Sequence, residues 1–220
     1  MKIIEAKNLQ IGHNKDIIHS HLDFTVSDHD FICVVGSNGS GKTTLILTIL
    51  SLIPKISGEL KVKLEKTEIG YMPQTSKLAE DFPATVYEIV ESGTLTNHRG
   101  KADIEEVIRQ FNLTKYQNTK FSQLSGGQKQ RTLLARAVVA TSRLLILDEP
   151  YNNLDSTSRE KLYLDLRKLN EKGIAIIMIT HDLDHSSLVG NKTLALLGDD
   201  YFFGPTSQYI KKVHRENHHV

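Results

Sequence analysis

Residues 36–44, with the sequence GSNGSGKTT, have the residue types and spacing with the clearest chemical meaning in the chain. They match the phosphate-loop pattern G-x-x-x-x-G-K-[ST], in which glycines let successive backbone N–H groups point at one phosphate. Lys42 is expected to reach the β- and γ-phosphates of a nucleotide, and the Thr43 hydroxyl to ligate Mg²⁺. A plain glycine turn before a buried helix would not require a lysine followed by two threonines. The predicted phosphate-binding residues are Gly36, Ser37, Asn38, Gly39, Ser40, Gly41, Lys42, Thr43 and Thr44.

Two adjacent carboxylates, Asp148 and Glu149, end the apolar run at residues 144–147 and are followed by Pro150. An acid at the end of an apolar strand in a phosphate-loop fold holds Mg²⁺ through its water shell, so Asp148 is expected to do this. Glu149 is then placed to polarise an attacking water as general base. A pair of surface carboxylates at a strand end is the plainer alternative, and it explains either residue alone better than both beside Pro150.

Buried strands that alternate with helices must position these residues. Apolar runs at 31–35, 69–74, 144–147 and 174–180 have strand length, and residues 45–50 predict a helix directly after the phosphate loop. This alternation predicts an α/β fold with a mainly parallel core sheet, in which ligands bind at the carboxyl ends of the strands. Both the phosphate loop and the two carboxylates are therefore expected at one edge of the sheet.

Further strand patterns lie toward both ends of the chain, where they predict an antiparallel β subdomain and a last hairpin. A turn is predicted at residues 12–15, and a polar helical tail at about 206–220. The remaining predicted strands are residues 2–9, 22–26, 60–64, 193–197 and 201–203.

Between residue 75 and about residue 123 the strand patterns disappear, which predicts a helical subdomain inserted into the α/β core. Thr85 can cap a short helix over 86–92 that Gly93 ends, and apolar residues recur at helical spacing over 104–111.

Two stronger helices follow the predicted subdomain. The first opens at residues 124–128. The second is predicted to begin with a capping box formed by Thr157 and Glu160, and to end at Gly173. With these helices, 220 residues are expected to form a single domain with one insertion.

Composition narrows the class of protein. The chain has 27 basic and 26 acidic residues, a balance that argues against nucleic acid as the main partner. No apolar run approaches the roughly 20 residues that span a bilayer, and no secretory signal follows Met1. The single cysteine, Cys33, lies in a predicted core strand, so a reducing cytosol is the expected setting.

Five stretches, taken together and in this order, resemble the ATP-binding-cassette (ABC) ATPases, a family of P-loop NTPases. The resemblance spans about residues 2–205, and Asp155 adds a match to the family's D-loop. The five are the Walker A loop at 36–44, the Q-loop glutamine Gln74, the signature at 124–128, the Walker B segment at 144–149, and the switch histidine His181. The signature is the most specific of these, because ordinary phosphate-loop enzymes lack it.

The resemblance implies a shared site in which two copies meet head to tail. Each ATP is clamped between the Walker A loop of one copy and the signature of the other, whose residues are Ser125, Gly126, Gly127 and Gln128. Such a helix start offers N–H groups and a dipole to the γ-phosphate. Gln74 would sense the metal and water, and His181 would hold the γ-phosphate and orient Glu149. The chain departs from the family at the adenine-stacking aromatic residue, where His13 stands and can stack as an imidazole.

The resemblance further implies the separate ATPase subunit of a transporter, especially a bacterial importer, on the cytoplasmic face of the membrane. Its expected partners are a second copy, a membrane permease docked near Gln74 and residues 75–110, and an extracytoplasmic substrate-binding protein. Residues 82–93 resemble the corresponding stretch of zinc and manganese importer ATPases. A soluble ABC ATPase of translation or DNA repair, or an exporter subunit, is the alternative.

Several histidines near the C-terminus raise a second question about metals. They are His185, His214, His218 and His219. No spacing among them fixes a tetrahedral site, so a solvated polar tail is the simpler interpretation and metal binding the alternative.

Overall fold

The computed structural model describes residues 1–13, 16–74, 83–95, 100–152, 154–181 and 189–217. Its contacts divide the chain into two compact units. Met1–Leu64 and Leu169–Val220 form the first unit, and Glu65–Lys168 forms the second. Within the described ranges, no helix has the length and apolar character that crossing a bilayer requires.

The strands are β1 (Lys2–His13), β2 (Asp16–Ser27), β3 (Phe31–Gly36), β4 (Ser57–Val62), β5 (Ile69–Met72), β6 (Leu144–Asp148), β7 (Ala175–Ile179), β8 (Lys192–Leu197) and β9 (Asp200–Pro205). The α-helices are α1 (Lys42–Ile49), α2 (Val86–Glu91), α3 (Lys101–Gln110), α4 (Gly126–Ala140), α5 (Ser156–Glu171) and α6 (Thr206–Asn217).

The first unit contains a parallel layer and an antiparallel layer. Strand β3 pairs in parallel with β7 on one side and β8 on the other, and β9 closes this sheet as an antiparallel neighbour of β8. The antiparallel sheet has the order β2-β1-β4. Every residue of β7 and the first five of β3 are buried, as expected for strands covered on both faces. The predicted α/β class, with its antiparallel subdomain, is confirmed.

Strands β1 and β2 are longer than the sequence predicts. Residues 12 and 13, assigned above to a turn, belong to β1, while residues 14 and 15 lie outside the described part of the chain. The two strands stay paired from Lys2↔Ser27 to His13↔Asp16, with several register shifts along the way. These irregularities break the alternation of apolar residues, which is why the pattern reveals only the regular parts of both strands.

The second unit packs helices against the parallel pair β5 and β6. Helix α4 contacts β5 and has a buried apolar stripe, which consists of Leu133, Leu134, Ala137 and Val138. The two elements approach closely at Gly70, where a Cβ atom would lie 1.8 Å from Thr141 Oγ1 and 2.2 Å from the carbonyl oxygen of Ala137.

Caps were predicted for two helices of the second unit, and the structure confirms one of them. Thr85 caps α2 in a capping box with Glu88, and a 3₁₀ turn at Ser92–Thr94 follows the helix. The predicted Thr157–Glu160 capping box is wrong, because α5 already begins at Ser156. Asp155 caps it instead, with Oδ1 accepting from the backbone N–H of Ser158 at 2.8 Å.

The inserted helical subdomain at about 75–123 stays a prediction. Helices α2 and α3 lie in that range and belong to the second unit, but residues 75–82 and 96–99 are outside the described part. The predicted polar C-terminal helix is confirmed as α6.

Candidate functional site

The phosphate loop connects β3 to α1 in the first unit. Gly39 and Gly41 have φ angles of 80° and 90°, in the left-handed region that glycine adopts without strain. A Cβ atom on Gly41 would also lie 2.7 Å from Ile18 Cγ2. The loop therefore needs glycine here both for its backbone angles and for its packing on β2. Left-handed residues in such a loop turn backbone N–H groups toward a common anion site.

Lys42, the first residue of α1, is buried with its ammonium group folded along the loop. Its Nζ donates to the carbonyl oxygens of Gly36 at 2.9 Å and Ser37 at 2.7 Å. These bonds hold the charge at the loop's own edge, where phosphate oxygens can take the place of the carbonyls. Thr43 is an exposed residue and its neighbour Thr44 is buried.

His13 lies beside the phosphate loop at the end of β1. Its Nε2 is 3.2 Å from Oγ1 of Thr44, so the imidazole is tied to α1 by a hydrogen bond across 31 residues of sequence. The position is compatible with a ring at the edge of a bound nucleotide, and adenine stacking by His13 stays a prediction.

The predicted switch histidine follows β7. Because Val34 pairs with Ile179 in the parallel β3–β7 ladder, His181 emerges two residues beyond that pair, level with Gly36 at the carboxyl edge. The backbone N–H of Thr180 bonds to the carbonyl of Val34 and extends this register. His181 is exposed there. The first unit thus brings His181 and the phosphate loop to the same strand ends.

A buried histidine that the sequence reasoning missed packs under the phosphate loop. His19 on β2 is 2% exposed, and its Cδ2 would be 3.6 Å from a Cβ atom on Gly41. Burial lowers the pKa of His19, while the neighbouring Ser40 backbone and the Asp199 carboxylate oppose that shift. The register shifts of β2 hid this inward-facing position from the alternation pattern.

In the second unit, Glu149 is held in an unusual conformation at the end of β6. It has φ 51°, a value uncommon outside glycine, and it is 9% exposed. Its Oε2 accepts one hydrogen bond from Gln74 Nε2 at 2.9 Å and another from Asn152 Nδ2 at 2.6 Å. Two predicted site residues, Gln74 and Glu149, are thereby brought together across 75 positions of sequence.

Asp148 ends β6 as a buried carboxylate, 2% exposed. Burial of the ring, and to a smaller extent the charge of Asp148, raise the pKa of Tyr71, on the paired strand β5, to about 12. Tyr71 therefore stays protonated beside Asp148 at physiological pH. An acidic side chain held at a strand end, with oxygen atoms as its only donors, suits Mg²⁺.

The signature residues form the start of α4. Ser125 is the N-cap residue, and its hydroxyl accepts from the backbone N–H of Gln128 while Gln128 Oε1 accepts from the Ser125 N–H at 2.9 Å. Gly126 and Gly127 begin the helix, so its first two residues carry no side chain. Asp155, the D-loop residue, is used to cap α5, and the Ser158 backbone and hydroxyl lower its pKa by hydrogen bonding.

Potential metal ligands occur among the C-terminal histidines and in the predicted ATP site. No group of three or more His, Cys, Asp or Glu side chains that could hold a metal ion occurs in the ranges that the structure describes. His214 lies on α6, exposed, whereas His185, His218 and His219 fall outside those ranges. Mg²⁺ ligation by Thr43, Gln74 and Asp148 stays a prediction.

Comparison with known proteins adds an independent line. A family model described as ABC transporter matches residues 19–152. The chain is 32% identical over 216 residues to the manganese transport system ATP-binding protein MntB of Bacillus subtilis, covering 92% of this chain and 86% of the relative. It is also 32% identical over 225 residues to the zinc uptake system ATP-binding protein ZurA of Listeria monocytogenes, covering 94% and 88%.

A solved structure of an ABC transporter assigned to the metal-chelate type, in an inward-facing conformation, is similar in fold. Its TM-score is 0.83 at 28% sequence identity, with 94% of this chain and 85% of that chain covered.

Proposed function

Because the chain belongs to the ABC transporter family and is its ATP-binding, ATP-hydrolysing subunit, we propose that it powers the import of a divalent metal ion such as zinc or manganese. The observation that carries this proposal is the match to MntB and ZurA, two named manganese and zinc systems, over more than nine-tenths of the chain. The structural neighbour of metal-chelate type supports the same class of cargo.

Each motif residue has a proposed role in binding or hydrolysing ATP. The phosphate loop would bind the β- and γ-phosphates through its backbone N–H groups, and Lys42 would exchange the Gly36 and Ser37 carbonyls for phosphate oxygens. Glu149 would polarise the attacking water, and His181 would hold the γ-phosphate. His13 would lie against the adenine.

The residues present fit Mg²⁺, a hard cation that takes oxygen ligands. Thr43 offers a hydroxyl, Gln74 an amide oxygen and Asp148 a buried carboxylate, and these three are proposed to hold it. When bound, Mg²⁺ neutralises charge that builds up on the β- and γ-phosphate oxygens. The adjacent Tyr71 remains protonated and uncharged.

ATPase subunits of ABC importers work as dimers with membrane permeases. In the proposed dimer, the signature residues Ser125, Gly126, Gly127 and Gln128 of one copy face the ATP held by the other, and Asp155 lies at the contact. The capped start of α4 supports this role, since its first N–H groups and helix dipole favour an anion.

A groove on the second unit is proposed to receive the permease. Its walls are apolar and come from β5, α2 and α4, with a volume of about 320 Å³. The residues that line it include Tyr71, Pro73, Ile89, Phe121 and Leu133. Pro73 directly precedes Gln74, so a permease segment in this groove would bear on the residue that contacts Glu149. The full system is proposed to sit on the cytoplasmic face of the membrane and to include an extracytoplasmic substrate-binding protein.

The test is metal uptake in cells of the source organism that lack this chain. Re-expression of the wild-type chain should restore accumulation of radioactive zinc or manganese, whereas Lys42→Ala and Glu149→Gln should not. In purified form, both variants should lose turnover by about 10²–10³-fold or more, with Glu149→Gln still binding ATP. If the wild-type chain restored growth of these cells but changed the uptake of neither zinc nor manganese, the proposed cargo would be contradicted. An active Glu149→Gln enzyme would contradict the proposed role of Glu149 as general base.

A further inference from the structure

One oxygen of Glu149 carries two side-chain amide donors. Oε2 accepts from Gln74 Nε2 at 2.9 Å and from Asn152 Nδ2 at 2.6 Å, which engages both lone pairs of that atom. Resting on the proposed role of Glu149 as general base, we propose that Asn152 is a positioning residue that fixes the orientation of the Glu149 carboxylate for ATP hydrolysis.

The turn after β6 explains why the carboxylate needs such a support. Glu149 has φ 51°, a backbone conformation that costs free energy for a residue other than glycine, so its surroundings must hold it there. The backbone N–H of Asn152 and Nε2 of the buried Gln130 both reach the Glu149 carbonyl at 3.3 Å. Asn152 therefore binds Glu149 twice, through its backbone and through its side chain.

The two donors to Oε2 differ in what else they are attached to. Gln74 is exposed and follows Pro73, a lining residue of the apolar groove, so its hydrogen bond depends on the position of that segment. Asn152 belongs to the same turn as Glu149 and moves with it. Asn152 thus holds the carboxylate through a contact within one turn, whereas the Gln74 contact joins two separate segments of the chain.

The experiment compares steady-state ATP hydrolysis by the purified full chain and three variants. Asn152→Leu keeps the branched shape and the number of heavy atoms but removes the donor. Asn152→Asp also sets a second carboxylate against Glu149, and Asn152→Ser retains a hydroxyl donor. We expect Asn152→Leu to lower kcat about 10- to 100-fold with KM and the Kd for a non-hydrolysable ATP analogue within about threefold of wild type. Asn152→Asp should be slower still, and Asn152→Ser should recover part of the rate.

A matched control and a double variant separate orientation from simple loss of structure. Asn118 is exposed, and Asn118→Leu should leave kcat unchanged. Because Gln74 and Asn152 share one oxygen, the kcat losses of Gln74→Ala and Asn152→Ser should not multiply, and the double variant should depart from the product by about threefold or more. Losses that multiply would overturn the proposal that Asn152 orients Glu149 through the oxygen that it shares with Gln74. This comparison does not require that Asn152→Leu folds.

The remaining outcomes distinguish this inference from the proposed function. Wild-type kcat in Asn152→Leu, together with an inactive Glu149→Gln, would overturn the positioning role and leave the general base intact. Loss of analogue binding in parallel with kcat, with no recovery in Asn152→Ser, would also overturn it, because that pattern indicates a structural role. An active Glu149→Gln enzyme would instead overturn the proposed function itself.

Discussion

Single residues show where pattern-based reasoning stops. Lys42, Asp148 and Glu149 could be predicted as site residues from sequence because each lies at the end of a strongly apolar strand or shortly after it. Asn152 could be assigned only to a turn, although its spacing of three residues from Glu149 allows the side chain to fold back, as it does. The partnership of Gln74 with Glu149 was outside the reach of any local pattern, because it joins residues that only the pairing of β5 with β6 brings close.

His19 provides a stability prediction at this scale. Burial lowers its pKa below the usual 6.5, so the unfolded chain binds more protons than the native one as the pH falls below that value. Stability is therefore retained above about pH 6.5 and lost on acidification toward the depressed native pKa, by at most about 1.4 kcal/mol per pH unit.

The measurement is urea unfolding between about pH 7.5 and about pH 5.5. His19→Leu should flatten the decline in free energy of unfolding over this range relative to wild type, whereas His214→Ala, at an exposed position of α6, should keep the wild-type decline. Parallel curves for wild type and His19→Leu would contradict the prediction. Comparing slopes removes the contribution of acidic groups that all three proteins share.

At the scale of elements, helices and buried strands were predicted well and their boundaries less well. The signature helix α4 was recognisable because its cap, its paired glycines and its apolar stripe agree with one another. The start of α5 was misplaced because Thr157 and Glu160 fit a capping box by spacing, while the Asp155 carboxylate is the better acceptor and lies two residues earlier. Strands β1 and β2 continue through bulges that interrupt the alternation of apolar residues, so the pattern predicts them too short.

The contact of β5 with α4 gives a prediction about packing. In Gly70→Ala, the new methyl group would collide with Thr141 Oγ1 and the backbone carbonyl of Ala137, and a backbone atom cannot move aside as a flexible side chain can. The free energy of unfolding should fall by about 1–3 kcal/mol, or roughly 2–12 °C in Tm. Calorimetry of the purified chain measures this directly.

Gly100→Ala is the matched control for that substitution. Among the residues that the structure describes, none beyond its chain neighbours lies within 4 Å of a Cβ atom at Gly100, and its φ of −88° suits any residue. Its stability should change by less than about 1 kcal/mol, mainly through the weaker N-cap of α3. Equal losses in the two variants would show that the Gly70 contact does not limit the approach of β5 to α4.

For the whole molecule, the order of the motifs along the chain was more informative than composition. A near-neutral charge balance and short apolar runs fit many cytosolic proteins, and they select none of them. The signature between the Q-loop and Walker B segments led to the family, which the match over residues 19–152 then confirmed. The cargo could not be predicted in the same way, because an ATPase subunit turns over ATP, and its ATP-binding motifs carry no chemistry that recognises a transported ion.

The last prediction concerns assembly. The start of α4 is capped by Ser125, and its first two residues are glycines, so its N–H groups and helix dipole suit an anion. If that anion is the γ-phosphate of an ATP bound to a second copy, ATP should cause two copies to form a dimer. Blocking hydrolysis should then preserve the dimer. Glu149→Gln should therefore elute at twice the monomer mass in millimolar ATP and at the monomer mass without nucleotide.

Two added substitutions in the Glu149→Gln background show which contacts hold that dimer. Ser125→Arg should keep ATP binding and abolish dimerisation, because the larger side chain obstructs the start of α4 while every residue of the phosphate loop is unchanged. Lys42→Ala should lose both ATP binding and dimerisation. Light scattering reports the mass, and a fluorescent ATP analogue reports the binding. A Glu149→Gln chain that binds ATP and remains a monomer would contradict the proposed role of the signature in ATP hydrolysis. In that case no N–H donor of α4 would contact the nucleotide of a second copy.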